Sequence, residues 1–94
     1  MRMMFRVSMP AAKGNAAIKS GAMQRVLKDT HKPEAAYFTA DHGHRTAYFF
    51  VDMPDVSYMP VMAEPAFQEL DATVEFIPVM TAEDLARGLA NAKF

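Results

Sequence analysis

Residues 34–52, EAAYFTADHGHRTAYFFVD, constrain this chain more than any other stretch. Two runs of aromatic, β-branched and small apolar residues, Ala35–Ala40 and Thr46–Val51, flank the polar knot Asp41-His42-Gly43-His44-Arg45. Tyr, Phe, Val and Thr fit a pleated, half-buried surface. Gly43 supplies the permissive backbone that a tight reversal needs. The pattern predicts a β-hairpin with a connection of about five residues. In the first run Ala36, Phe38 and Ala40 share a face opposite Ala35, Tyr37 and Thr39. In the second, Ala47, Phe49 and Val51 oppose Thr46, Tyr48 and Phe50. Neither strand has a cleanly polar side, and a sheet that is apolar on both faces must be covered on both.

The flanking segments supply partners for this hairpin. Arg2–Met9 alternates, with Met3, Phe5, Val7 and Met9 on one side and Arg2, Met4, Arg6 and Ser8 on the other. That period predicts a half-buried strand, ended by Pro10. Lys13–Asp29 reads as a helix with Asn15 as N-cap and an apolar stripe of Ile18, Ala22, Met23, Val26 and Leu27. Gly21 predicts a break there, with Ser20 capping the second piece. His31-Lys32-Pro33 closes the segment. Tyr58–Leu70 reads as a helix capped by Ser57, with Pro60 in its first turn and Pro65 splitting it near Glu64. Ala72–Met80 reads as the last strand, and Pro78 places it at a sheet edge. Thr81-Ala82-Glu83-Asp84 resembles a capping box that starts a final helix, whose stripe of Leu85 and Leu89 is narrow. The order is that of a ferredoxin-like βαββαβ plait, an α+β fold. It predicts one domain over residues 1–94. The expected sheet is four-stranded and antiparallel in the order 4-1-3-2, with helices on one face, a bare second face and a short C-terminal helix.

Composition narrows the function classes. The chain has 94 residues, a net charge of −1 and no cysteine. There is no basic field for nucleic acid, and disulfides and thiolate metal sites are excluded. Arg6 interrupts the first apolar run, so the start does not read as a signal peptide. No apolar run approaches the length of about 20 residues that a membrane span needs. The expectation is a soluble, cytoplasmic protein that engages neither nucleic acid nor membrane. Nine methionines read as adaptable core filler.

Three strings, KPEAAYFTADHGHRTAYFFVDMPD, MAEPAFQELDATVEF and PVMTAEDLARGL, resemble an uncharacterised family of small bacterial ferredoxin-like proteins, related in form to the dimeric α+β barrel superfamily. The likeness covers residues 30–90. It implies a fold and a homodimer, and no reaction. The superfamily includes cofactor-free monooxygenases, lactone isomerases and haem-handling enzymes, but a shared fold transfers no function.

Two clusters carry candidate chemistry. His42-Gly43-His44 beside Asp41 offers two imidazoles and a carboxylate. A metal site needs three or four converging ligands, and His31 is the only other histidine. The cluster therefore reads as a polar turn, and neither metal nor cofactor is expected. Arg6 and Glu75 fall on the faces of the first and last strands that point away from the helices. They read either as a cross-strand pair or as part of a ligand site. Tyr37, Thr39, Tyr48 and Phe50 are candidates for the same lining. A G-x-S-x-G elbow, a P-loop and a dinucleotide fingerprint are all absent. No catalytic residue is assignable. The reading is a homodimer that binds a small molecule at the sheet face without catalysis. The alternative is a cofactor-independent monooxygenase- or isomerase-like enzyme with Tyr48, Glu75 and Arg6 around its substrate.

Overall fold

The computed structural model describes residues 1–29 and 32–94. Among these the chain runs β1 (Arg2–Met9), α1 (Ala11–Ser20), α2 (Ala22–Asp29), β2 (Ala35–Asp41), β3 (His44–Asp52), α3 (Tyr58–Leu70), β4 (Thr73–Pro78) and α4 (Ala82–Asn91). The fold is α+β. The strands form one antiparallel sheet in the order β2-β3-β1-β4, which from the other edge reads β4-β1-β3-β2. The closing signal at His31 lies outside the described residues.

Period-two alternation decides the packing. Met3, Phe5, Val7 and Met9 of β1 are buried, as are Ala47, Phe49 and Val51 of β3. Phe5 pairs with Phe49 on one side and Phe76 on the other. Its ring stacks on Phe76 at 4.7 Å between centroids and tilts against Phe49 at 5.9 Å. Ala17 of α1, Ala22 and Val26 of α2, and Met62, Ala66 and Leu70 of α3 join the same core. Half-buried Val74 and Phe76 of β4 pack against it. These three helices thus cover a single face of the sheet. Helix α4 buries no residue, although the Thr81–Asp84 capping box forms as its sequence predicts.

Local structure departs from expectation in four places. The hairpin connection is two residues rather than five, because His42 and Gly43 both take positive φ, 51° and 76°. Two left-handed residues make the tight turn whose twist matches paired strands. The strands therefore extend to Asp41 and His44, which face each other. Helix α1 begins at Ala11 behind Pro10, not at Asn15. Asn15 is not a cap; its side-chain oxygen accepts from Arg45 at 2.8 Å. Ser57 makes no cap hydrogen bond to α3 and donates instead to Asp55 at 2.6 Å. Helix α3 runs unbroken through Pro65. The proline costs the helix one bond, to the carbonyl of Val61, and Val61 is exposed, so water can take that place. The break at Gly21 does form, with φ of 85°, and the Ser20 hydroxyl accepts from the Ala22 N–H at 3.3 Å.

Phe5→Ala should cost about 3–5 kcal/mol in urea unfolding, since it empties the centre of the core. Phe38→Ala, on a strand outside the buried cluster, should cost under about 1 kcal/mol. Equal losses would show that the core is not centred on β1.

Candidate functional site

The face of the sheet turned away from α1–α3 carries all six residues singled out from sequence. One row crosses all four strands: Tyr37 pairs with Tyr48, Tyr48 with Arg6, and Arg6 with Glu75. On one side lies the row Ala35, Phe50, Met4 and Ile77, and on the other Thr39, Thr46, Ser8 and Thr73. Arg6, Tyr37, Tyr48 and Glu75 are therefore neighbours in a line, with Phe50 and Thr39 in the adjoining rows. Tyr37 is 64% exposed and its ring meets Phe50 edge-on at 6.4 Å between centroids.

Arg6 organises the middle of this face. Its side chain is only 18% exposed. Each guanidinium nitrogen has a protein partner: Nε donates to the Tyr48 hydroxyl at 3.4 Å, Nη1 to Glu75 at 3.0 Å and Nη2 to Asp41 at 2.5 Å. The guanidinium carbon also lies 5.8 Å from the centre of the Tyr48 ring. The Tyr48 hydroxyl and the Asp41 carboxylate raise the guanidinium further above its ordinary range. In return the hydrogen bond from Arg6, with help from His42, holds the Asp41 carboxyl below the usual range. The cross-strand pair of Arg6 and Glu75 is the one expected from sequence. Asp41 was read there as part of a turn, and its role was missed. Period two from Tyr37 and Thr39 assigns Asp41 to the same face once the turn is known to be short.

Among the described residues His42 and His44 gather no further ligands. His42 is exposed and its Nδ1 lies 2.6 Å from Asp41. Among the described residues no group of three or more His, Asp or Glu side chains could hold a metal ion. His31 lies outside those residues. No described helix is long and apolar enough to cross a membrane.

A cavity of about 220 Å³ lies on the opposite face, between the helices and the β2–β3–β1 part of the sheet. Phe5, Val7, Val26, Phe49, Met62 and Leu70 form its buried wall, and exposed Ile18, Leu27 and Phe38 lie at its rim. Among the described residues Arg45 is the single charged one in the lining. Of the six residues expected to line a site, Thr39 alone borders this cavity. The periodic pattern marked the wall residues as core. It holds no signal for a gap between them. No family model, curated protein or solved structure matches the chain.

Asp41 links this face to pH. Its folded pKa is depressed, so its contribution is present above the ordinary carboxylate range and lost as pH falls through the folded value. Asp41→Asn should lower the thermal midpoint at pH 7, and the gap to the wild type should close as pH falls below the ordinary carboxylate range. A gap that persists undiminished in acid would show that the carboxylate charge is not what Asp41 contributes.

Proposed function

We propose that the chain is a ferredoxin-like plait that binds a small molecule without catalysing a reaction, and that it works as a two-fold homodimer. The observation that carries binding is the helix-side cavity. It is mostly apolar, it is bordered by exposed Ile18, Leu27 and Phe38, and among the described residues it holds a single charged group, Arg45. Sites for small molecules have this composition. The sheet face is the weaker candidate for a ligand, because every guanidinium nitrogen of Arg6 is engaged within the chain. The engagement of Arg6 counts against the oxygenase or isomerase reading where that reading needs the guanidinium, whereas Glu75 is half exposed and spends one carboxylate oxygen on Arg6. Methyl NMR with 1-hexanol as probe tests the location. Shifts should concentrate at Val7, Val26, Leu27, Met62 and Leu70. Shifts centred on Met4 and Ile77 would move the site to the sheet face.

The homodimer rests on the open face. Met4, Tyr37, Tyr48, Phe50 and Ile77 present large side chains where no helix from α1–α3 packs. Each such side chain is worth about 1.5–3 kcal/mol when fully buried, and a contiguous patch of this kind marks an interaction surface. A second copy covers it with the same patch turned by two-fold symmetry. Helix α4 adds to the argument. Its Asp84 lies 3.9 Å from Arg2, an open-face residue, so the helix starts beside that face. The radius of gyration is 15.3 Å, against about 12 Å for a compact chain of this length. An unpacked α4 with Leu85 and Leu89 exposed suits a clasp over a partner. Sedimentation equilibrium should give twice the chain mass of 10.5 kDa, and Tyr37→Glu with Ile77→Glu should give the monomer. A wild-type mass that stays at the monomer value on raising the concentration would refute the dimer.

A further inference from the structure

We propose that the helix-side cavity takes a compact apolar monocarboxylate, with its chain or ring among the buried side chains and its carboxylate on Arg45. The proposal rests on the binding reading above and adds the chemistry of the ligand.

Arg45 pairs with Met9 across β3 and β1, which puts it on the helix side of the sheet, beside the cavity. Its stem lies flat against α1 at Gly14. A methyl group on residue 14 would sit 2.5 Å from the Arg45 Cδ and 3.1 Å from its Nε. Glycine at this position is what lets the side chain cross the helix so closely. The guanidinium then reaches Asn15, whose side-chain oxygen accepts from Nη2 at 2.8 Å.

Asn15 is neutral. Arg6 on the other face has two carboxylates within 3.0 Å, whereas the partner fixing Arg45 brings no negative charge. Arg45 is thus an oriented cation at the edge of an apolar space. A planar guanidinium with donors to spare matches a carboxylate, which accepts two parallel hydrogen bonds. The rest of the lining selects an apolar body, because an additional charge there would lose its water without gaining a partner. A volume of about 220 Å³ limits the ligand to roughly seven to ten non-hydrogen atoms, scaled from about 30 Å³ per water in the liquid. Straight-chain acids of six to eight carbons and single-ring aromatic acids fall in this range. Met9, Met23 and Met62 in the wall can adjust to either shape.

Calorimetric titration with hexanoate and 1-hexanol at pH 7 separates the two levels of the proposal. The wild type should bind hexanoate at least about tenfold more tightly than hexanol, through the charge-assisted contact. Arg45→Gln should abolish that preference and leave hexanol binding unchanged. Gly14→Ala favours the helix, so α1 should form. It should displace the arginine stem and reduce the preference in the same way. Equal binding of acid and alcohol by the wild type would leave the cavity site standing and overturn the carboxylate. Tighter hexanoate binding that survives Arg45→Gln would place the anion contact elsewhere and overturn it too. Binding of neither probe would overturn both the proposal and the cavity reading beneath it.

Discussion

A sheet with large side chains on both faces and helices for only one is the constraint on which this structure turns. β1 lies in the interior of the sheet, hydrogen-bonded to β3 and to β4. Its odd residues from Met3 to Met9 are buried under the helices. Its even residues carry a charge in the middle of the other face. An arginine there is costly unless its donors find acceptors. They do so on three different strands, through Tyr48 of β3, Asp41 of β2 and Glu75 of β4. One guanidinium therefore ties all four strands together from the side that α1–α3 do not cover. The hydroxyls of Ser8 and Thr46, 3.2 Å apart, make a second polar link between β1 and β3 one row away.

The two arginines of the sheet show how surroundings assign roles to identical side chains. Arg6 sits among carboxylates and is shielded, so its charge is matched inside the chain. Arg45 sits at the rim of an apolar space and is steadied by an amide. For the carboxylate proposed above, a fixed Arg45 supplies an oriented contact. Gly14 is the clearest sign of that, because alanine would favour the helix but would collide with the arginine stem.

The strands and their faces were legible from the sequence because each follows from a period of two, and the Arg6–Glu75 pairing followed from those faces together with the strand order that the βαββαβ sequence of elements implies. That period survives any modest error in strand ends. The turn was not legible in the same way. His42 adopts the left-handed conformation beside Gly43, and a non-glycine residue does so only occasionally. Reading five turn residues instead of two hid the place of Asp41 on the open face. Helix ends were misjudged for a related reason. Asn15 and Ser57 have side chains suited to capping, but Asn15 accepts from Arg45, 30 residues on, and Ser57 donates to Asp55, two residues before it. The Arg45 contact is made through space and leaves no local trace. Pro65 marks the opposite limit: the local rule predicts a break, and tertiary packing of Met62, Ala66 and Leu70 on either side carries the helix through it.

The cavity is the hardest feature to foresee and has an identifiable origin. Ala47 of β3 is small and faces Phe38 across the β2–β3 pairing. Phe38 turns edge-on against Phe49 at 6.0 Å between ring centroids and stays largely exposed, so it does not close the gap above Ala47. From above, a continuous helix over residues 11–29 would set one apolar stripe on this spot. The left-handed turn at Gly21 divides that stripe in two. Ala17, Ala22 and Val26 reach the core, while Ile18 and Leu27 are left partly exposed beside the opening. Small side chains below and a broken helix above hold the layers apart at one point. Each of these features is local and lies in a different segment. The space exists only where the fold brings them together.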